Sequence, residues 1–269
     1  MQNEIRRLTR RAAYFFKTST LLRSEVACFA SHLSTLGPAM IIGGFLRDLY
    51  LSGNREFRSD IDFVVNPASL PEFENFVRAQ SGKPNRFGGY GIALKRWRVD
   101  VWPLEKTWAA TEGHVEVSSF EDLLKATFFD WDAILWDPKG AKAIHAPSYF
   151  QRLQSRVIDI NLEPNPNPLG NAVRALRYGY RWSAAFGPQL AAHVAKQIRD
   201  NHWEGLVFSE KRSFSNPILE RIDGEEIFKI LNKATYQDMS AVHLPFHPLQ
   251  LQFGFYTGEK RGQDLHIAS

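Results

Sequence analysis

Residues 39–65 restrict this chain more than any other segment. A short apolar run, Met40-Ile41-Ile42, ends in Gly43-Gly44, and an amphipathic stretch from Phe45 to Leu51 follows. After the turn Ser52-Gly53-Asn54, a second apolar run, Ile61 to Val65, is entered through Asp60-Ile61-Asp62. This pattern predicts strand, glycine turn, helix, turn and strand in that order. Side chains alternate faces along a strand, so Asp60 and Asp62 leave one face about 7 Å apart. Two carboxylates beside a glycine-lined helix start can hold a divalent metal ion and a polyphosphate together.

The flanking sequence predicts what surrounds that unit. Residues 1–36 read as helical, with Leu21, Leu22, Val26, Phe29, Ala30 and Leu33 at three-to-four spacing until Gly37-Pro38 stops the pattern. Leu70 to Ala79 reads as an amphipathic helix and Ser81 to Gly91 as a loop. Ile92 to Leu94 and Trp97 to Trp102 read as strands, the second directing Val99, Val101 and Pro103 one way and Arg98, Asp100 and Trp102 the other. Pro103 marks that strand's end or a sheet edge. Phe129 to Trp136 is a further strand-like run, closed by the turn Asp137-Pro138-Lys139-Gly140.

From residue 147 to 233 the periodicity is helical, interrupted by the linker Glu163-Pro164-Asn165-Pro166-Asn167-Pro168. The last residues, 234–269, carry little periodicity. The expectation is an α+β chain in two parts, a mixed-sheet head over 1–146 flanked by helices and a helical module over 147–269.

Composition narrows the function classes. A chain of 269 residues with 44% hydrophobic side chains can bury a sizeable core. Its lone cysteine, Cys28, excludes an intrachain disulfide and a cysteine zinc cage. Ala12 to Phe16 is too short for a signal-peptide core and is cut by Lys17, and no uncharged run reaches the ~18 residues of a membrane span. A soluble, cytoplasmic protein without a membrane partner is expected. The formal net charge of +4 permits a nucleotide or nucleic-acid partner. Arginines gather at Arg6, Arg7, Arg10 and Arg11, either as a solvated helix face or along an RNA backbone, and recur at Arg174, Arg177 and Arg181. His243 and His247 are four apart, but Pro245 between them breaks the helix that would align them on a metal.

Phosphoryl chemistry needs metal ions for the phosphate charge, donors for the non-reacting phosphates and a group that aligns the attacking oxygen. Asp60 and Asp62 answer the first need, and Asp100, in a strand-like setting, is the candidate third carboxylate. With all three, two magnesium ions could sit ~3.5–4 Å apart. Gly43 and Gly44 allow close backbone approach to phosphate, and the helix that follows adds N–H donors. Arg174 and Arg177, three apart on one helix face, suit a base edge or a phosphate, or else a solvated surface.

The order Gly43-Gly44-Phe45-Leu46-Arg47-Asp48, then Asp60-Ile61-Asp62, then Val99-Asp100-Val101 resembles the polymerase-beta-type nucleotidyltransferases. It is most similar to the head domain of tRNA nucleotidyltransferases (CCA-adding enzymes) and poly(A) polymerases. Val173-Arg174-Ala175-Leu176-Arg177-Tyr178 is similar to that family's neck helix, and Ser209-Glu210-Lys211-Arg212 is a fainter match. The resemblance implies transfer of a nucleoside monophosphate from a triphosphate, ATP among them, to an acceptor hydroxyl, most plausibly an RNA (tRNA) 3′ end, with release of pyrophosphate. It implies that Asp60, Asp62 and Asp100 hold two Mg2+ ions, that Gly43 and Gly44 contact the triphosphate, and that Arg47 pairs with phosphate or braces the site through Asp48.

Two departures accompany it. The family's Arg-Arg-Asp-Phe-Thr-x-Asn-Ala corresponds to Ala126-Thr127-Phe128-Phe129-Asp130-Trp131-Asp132-Ala133, without the arginine pair, and Asn167-Pro168-Leu169-Gly170-Asn171 stands where the neck motif begins. They motivate two alternatives: a catalytically weakened nucleotide- or RNA-binding regulatory module, or a compact toxin- or defence-type transferase acting on tRNA or a protein.

Overall fold

In a computed structural model of the chain, residues 2–17, 21–53, 60–85, 87–237 and 241–246 are described. The expected helical start resolves into α1 (Gln2–Lys17) and α2 (Leu21–Leu36), and the glycine-turn unit into β1 (Ala39–Ile42), α3 (Gly44–Ser52) and β2 (Ile61–Val65). Then come α4 (Leu70–Ala79), the short β3 (Lys83–Pro84), β4 (Tyr90–Ala93), β5 (Arg98–Pro103) and the one-turn α5 (Trp108–Thr111). Ser69 caps α4 by accepting from the Glu72 N–H, with Pro71 in the first turn.

Among the described residues these strands form one seven-stranded sheet, ordered β3-β4-β5-β2-β1-β6-β7, with β6 (Ile134–Asp137) and β7 (Lys142–His145) completing it. The sheet is mixed: β2 runs parallel to β5, and the other pairings are antiparallel. Pro103 ends β5 without making it an edge, because β5 lies between β4 and β2.

The sheet's two faces differ, as alternation requires. Ile41, Phe63, Val65, Val99, Val101, Ile134 and Trp136 join the main core with α1–α4. Met40, Val64 and Leu135 point the other way, into a smaller cluster closed by Leu104, Val117 and Leu123. That cover leaves the Asp62 end of β2 less enclosed, and the candidate site lies there.

Where the strand-like run Phe129 to Trp136 was expected, only Ile134–Asp137 is strand; Asp130–Asp132 is a 3-10 turn. The reason is local: the Asp130 carboxylate accepts from the Asp159 N–H and pairs with Arg152, which tightens the chain into a turn. β7, a short and half-exposed strand, carries too little alternation to be seen in sequence.

The second half is mostly helical, with α6 (Tyr149–Ser155), α7 (Pro168–Trp182), α8 (Pro188–Ser213) and α9 (Gly224–Gln237), plus the two-residue parallel pair β8 (Val157–Ile158) and β9 (Ala185–Phe186). The Pro/Asn-rich linker sets the start of α7. Asn167 caps the Gly170 N–H and Asn165 Oδ1 accepts from both Asn167 N and Asn171 Nδ2. α8 is kinked at His202, whose φ of 56° and ψ of 166° are not helical. Of the stretch 234–269, the described part adds the end of α9 and a bridge from Val242 to Phe186; His247 lies outside the described residues.

α7 and α8 are clipped by one buried charge. Glu210 is fully buried; it pairs with Arg177 and accepts from the N–H groups of Ile218 and Leu219 at 3.0 and 2.8 Å. Glu210→Ala removes the only acid paired with Arg177 among the described residues and leaves two amide donors unsatisfied. The expected loss is about 3 kcal/mol of unfolding free energy, read by chemical denaturation, with Glu210→Gln losing less.

Candidate active site

The turn at Gly43 is the first element of the site. Gly43 has φ 74° and ψ −123°, a conformation that favours glycine, and its N–H reaches Ile134 O at 3.0 Å. Its carbonyl receives the N–H groups of Leu46 and Arg47, so the chain enters α3 with no side chain capping the helix start. A Cβ at position 43 would stand 3.5 Å from Asp132 Cβ.

The second element is acidic. The β2–β5 pairing sets Asp62 directly beside Asp100, so both carboxylates project from one face, and Asp60 precedes β2 on the exposed margin. Burial, then Asp100 and Asp60, push the Asp62 carboxyl up to about 7. Burial also raises Asp100, against the opposing pull of the Arg98 guanidinium.

Two features of the β4 side bear on Asp100. Asn85, whose Oδ1 accepts from Phe87 N and Gly89 N at 2.9 and 3.0 Å, has its side chain close enough to Asp100 to oppose the rise of that carboxyl. Opposite Asp100 in the ladder is Gly91, where a Cβ would stand 3.0 Å from Asp100 Oδ1. That Oδ1 is buried and has no hydrogen-bond partner.

Among the described residues no three Asp, Glu, His or Cys side chains are closed around a common point as they stand. Like charges without a counterion repel one another. The donor set nevertheless fits a hard divalent cation: all oxygen, one buried oxygen orphaned, and a neighbouring carboxyl driven towards protonation by burial and then by the acids beside it.

The arginines divide. Arg47 is buried and bonds Asp48 Oδ1 through Nε and Nη2 at 3.0 and 2.8 Å; it also pairs with Asp132 and lies 4.4 Å over the Tyr178 ring. Burial opposes its charge, but Asp132 and Asp48 hold its pKa well above the ordinary value. Asp48 takes a second bond from Arg181 at 3.1 Å. Of the two roles open to Arg47 and Asp48, these contacts form the brace. Arg177 is likewise engaged, by Glu210 and Asn216, with its guanidinium 4.0 Å from the Phe214 ring centre. Arg174 is the exposed one, near enough to Asp62 and Asp132 to pull against the burial that raises both carboxyls.

The structure therefore brings Gly43, Gly44, Asp60, Asp62, Asp100 and Arg174 to one region, and places Arg47, Asp48 and Arg177 in buried ion networks. Sequence reasoning missed Asp132, Arg181, Asn85 and Gly91 as parts of this arrangement. The recurrence of Arg181 four residues after Arg177 was the available signal for one of them; the others depend on register and loop closure.

No protein-family model matches the sequence, and no curated protein does. Solved structures match in fold. A CCA-adding enzyme in complex with CTP aligns at a TM-score of 0.56 and 20% identity, over 85% of this chain and 55% of that one. A complex of CCA-adding enzyme with ATP aligns at 0.51 and 19%, over 78% and 50%. An apo tRNA-processing enzyme aligns at 0.51 and 18%, over 81% and 57%. The chain is thus similar in fold to CCA-adding enzymes and spans between half and three-fifths of their length.

The raised Asp62 carboxyl has a measurable consequence. The folded state binds a proton there up to about pH 7, whereas the ordinary carboxyl value is 3.8. The group's contribution to stability therefore falls as pH rises from about 4 to 7 and stays low above it. Asp62→Asn is expected to raise the thermal midpoint by several degrees at pH 8 and by little at pH 4. Added MgCl2 is expected to stabilise the wild type more at pH 8 than at pH 5, and the Asn variant less. Differential scanning fluorimetry reads both.

Proposed function

We propose that this protein is a metal-dependent nucleotidyltransferase that moves a nucleoside monophosphate from a nucleoside triphosphate to an acceptor hydroxyl, with an RNA (tRNA) 3′ end as the acceptor. The observation that carries the reading is the register of β2 against β5, which sets Asp62 and Asp100 side by side next to the Gly43 turn. The likeness to solved CCA-adding enzymes in complex with CTP and ATP supports it at the level of fold.

On this reading Asp60, Asp62 and Asp100 would hold the divalent ions, two Mg2+, which supply charge neutralisation for the triphosphate and a lowered pKa for the acceptor hydroxyl. The chain's own groups do the rest. The turn at Gly43 and Gly44 lets backbone approach the triphosphate closely, and the uncapped start of α3 offers N–H donors and positive dipole to it. Arg174, exposed and close to the acidic face, is placed to pair with phosphate. Arg47 and Asp48 act indirectly, fixing α3 against α7. Gly91 leaves room for the Asp100 carboxylate on the β4 side, where a larger side chain would crowd it. The head of residues 1–146 carries the acids and the turn, and the helical part from 147 onward carries Arg174.

Among the described residues no helix is long and apolar enough to cross a membrane; a cytoplasmic site of action is part of the proposal.

The test is incubation with each α-labelled nucleoside triphosphate, MgCl2 and total tRNA. Labelled tRNA and released pyrophosphate are expected, with loss of at least ~100-fold in Asp62→Ala and Asp100→Ala. Gly91→Ala, which crowds Asp100, is expected to lower turnover and raise the MgCl2 requirement while leaving the thermal midpoint close to wild type. Nucleotide binding without transfer to any acceptor would replace this reading with that of a regulatory binding module. Full activity in Asp62→Ala would remove the metal assignment.

A further inference from the structure

The molecule's positive charge is concentrated on one helix. α1 carries Arg6, Arg7, Arg10, Arg11 and Lys17 against a single acid, Glu4: five cations and one anion, net +4. The whole chain's formal net charge is also +4, so the remainder is neutral in sum. Three exposed lysines on other helices pair with acids, Lys196 with Asp200, Lys229 with Glu225 and Lys211 with Glu220, while exposed cations without an ion pair among the described residues stand singly there, as at Arg78 and Lys233. On α1 the matching is sparse. Arg7 meets Glu4 at 3.8 Å, and Arg11 turns inward onto the Leu49 and Tyr50 carbonyl oxygens at 2.8 and 2.7 Å. Arg6 and Arg10 are exposed, with no ion pair among the described residues.

Like charges four apart, as in Arg6/Arg10 and Arg7/Arg11, destabilise a helix. Burial, together with Arg7 and Arg10, lowers the Arg11 pKa. A polyanion on the outer face would relieve that repulsion.

The outer row also carries an aromatic. Tyr14 is 58% exposed, four residues beyond Arg10, and the Arg23 guanidinium lies 5.8 Å from its ring centre. Steps of four residues advance about 6 Å along a helix, the scale of neighbouring phosphates on a strand. The opposite side of α1 is spent: Leu8, Ala12 and Phe15 are buried in the main core. It therefore has no apolar face to sink into a bilayer, which favours a nucleic-acid backbone over a membrane surface. α1 packs on α3, whose first turn is at the candidate active site and whose last carbonyls receive Arg11. α3 is nine residues, about 13 Å, long. α1 lies with α3 on the sheet face opposite the Asp62 and Asp100 carboxylates, so an RNA whose end occupies the site reaches α1 by passing the start of α3 and round the sheet, and α1 does not touch the reacting atoms.

We propose that the outer row of α1, Arg6, Arg10 and Tyr14 flanked by Arg7 and Lys17, is a second binding surface that takes the phosphodiester backbone of the acceptor RNA. That the RNA is the acceptor rests on the function proposed above; that the surface binds RNA does not. Arginine supplies the phosphate contacts and Tyr14 a platform for an unpaired base.

The experiment is fluorescence anisotropy with a labelled RNA hairpin bearing a single-stranded 3′ end, in EDTA buffer without nucleotide, from about 50 to 200 mM salt. The double variant Arg6→Ala/Arg10→Ala is expected to bind roughly tenfold more weakly, with the log–log salt slope reduced by about 1.5. Its thermal midpoint should equal or exceed that of the wild type. Tyr14→Ala is expected to weaken binding several-fold at unchanged slope, and Tyr14→Phe to restore it. Asp62→Ala should bind like the wild type, so failure of the transfer assay with these results intact overturns the site reading and not this surface. Wild-type affinity and slope in the double variant overturn the proposal. So does loss of binding to phosphatidylserine vesicles with RNA affinity unchanged.

Discussion

A buried guanidinium joins the parts of this molecule. Arg47 leaves α3 one turn after the Gly43 bend and is held between Asp48 and Asp132, against the rings of Tyr178 and Trp182. Three segments distant in sequence meet on it: the glycine-turn helix, the 3-10 turn before β6, and α7. Burying a charge is costly unless paired, and removing one partner of such a pair typically costs ~3–5 kcal/mol. The network is closed further by Arg181 on Asp48 and by Trp182 Nε1 on Ser52 Oγ at 3.1 Å. α3 is therefore fixed at both of its neighbours, and the Gly43 turn and Arg174 of α7 keep a set relation to one another.

That rigidity serves a face that is electrostatically unsettled. Asp62 and Asp100 are brought together by strand pairing, which the main core enforces through Ile61, Phe63, Val99 and Val101 on the other side of the same strands. The apolar residues thus secure the position of acids that repel one another. The residual strain appears in the raised Asp62 and Asp100 carboxyls and in the orphaned Asp100 oxygen. Local rules broken at one spot and compensated elsewhere are what a binding or catalytic face requires.

The two charge-rich regions differ in kind. At the acidic face, cations are scarce and the arginines nearby are mostly committed to structure. On α1, cations exceed acids, and Arg6 and Arg10 project outward. Each region lacks what its partner would supply, positive charge in one and negative charge in the other. The division of Arg174 from Arg177 shows how little a shared motif says about role: three residues apart on one helix, one is exposed near the acids and the other is consumed by Glu210.

Much of this was legible in the chain itself. Apolar periodicity gave α2, α3, α4, β1, β2 and β5, because each has one buried face and a strong stop signal. The Asp-x-Asp spacing placed two carboxylates on one face because strand side chains alternate. What stayed hidden lacks a local signature. β7 and β3 are too short and exposed to alternate clearly, and the Asp130–Asp132 turn arises from a carboxylate bonding to a backbone amide far along the chain. Local sequence set which positions are acidic, apolar or permissive at the turn. That Asp62 stands opposite Asp100, that Arg47 braces while Arg174 faces the acids, and that α1 turns Arg6 and Arg10 outward but Arg11 inward, came from the assembled fold. Register, burial and ion pairing are properties of segments brought together from a distance, and no window of neighbouring residues contains them.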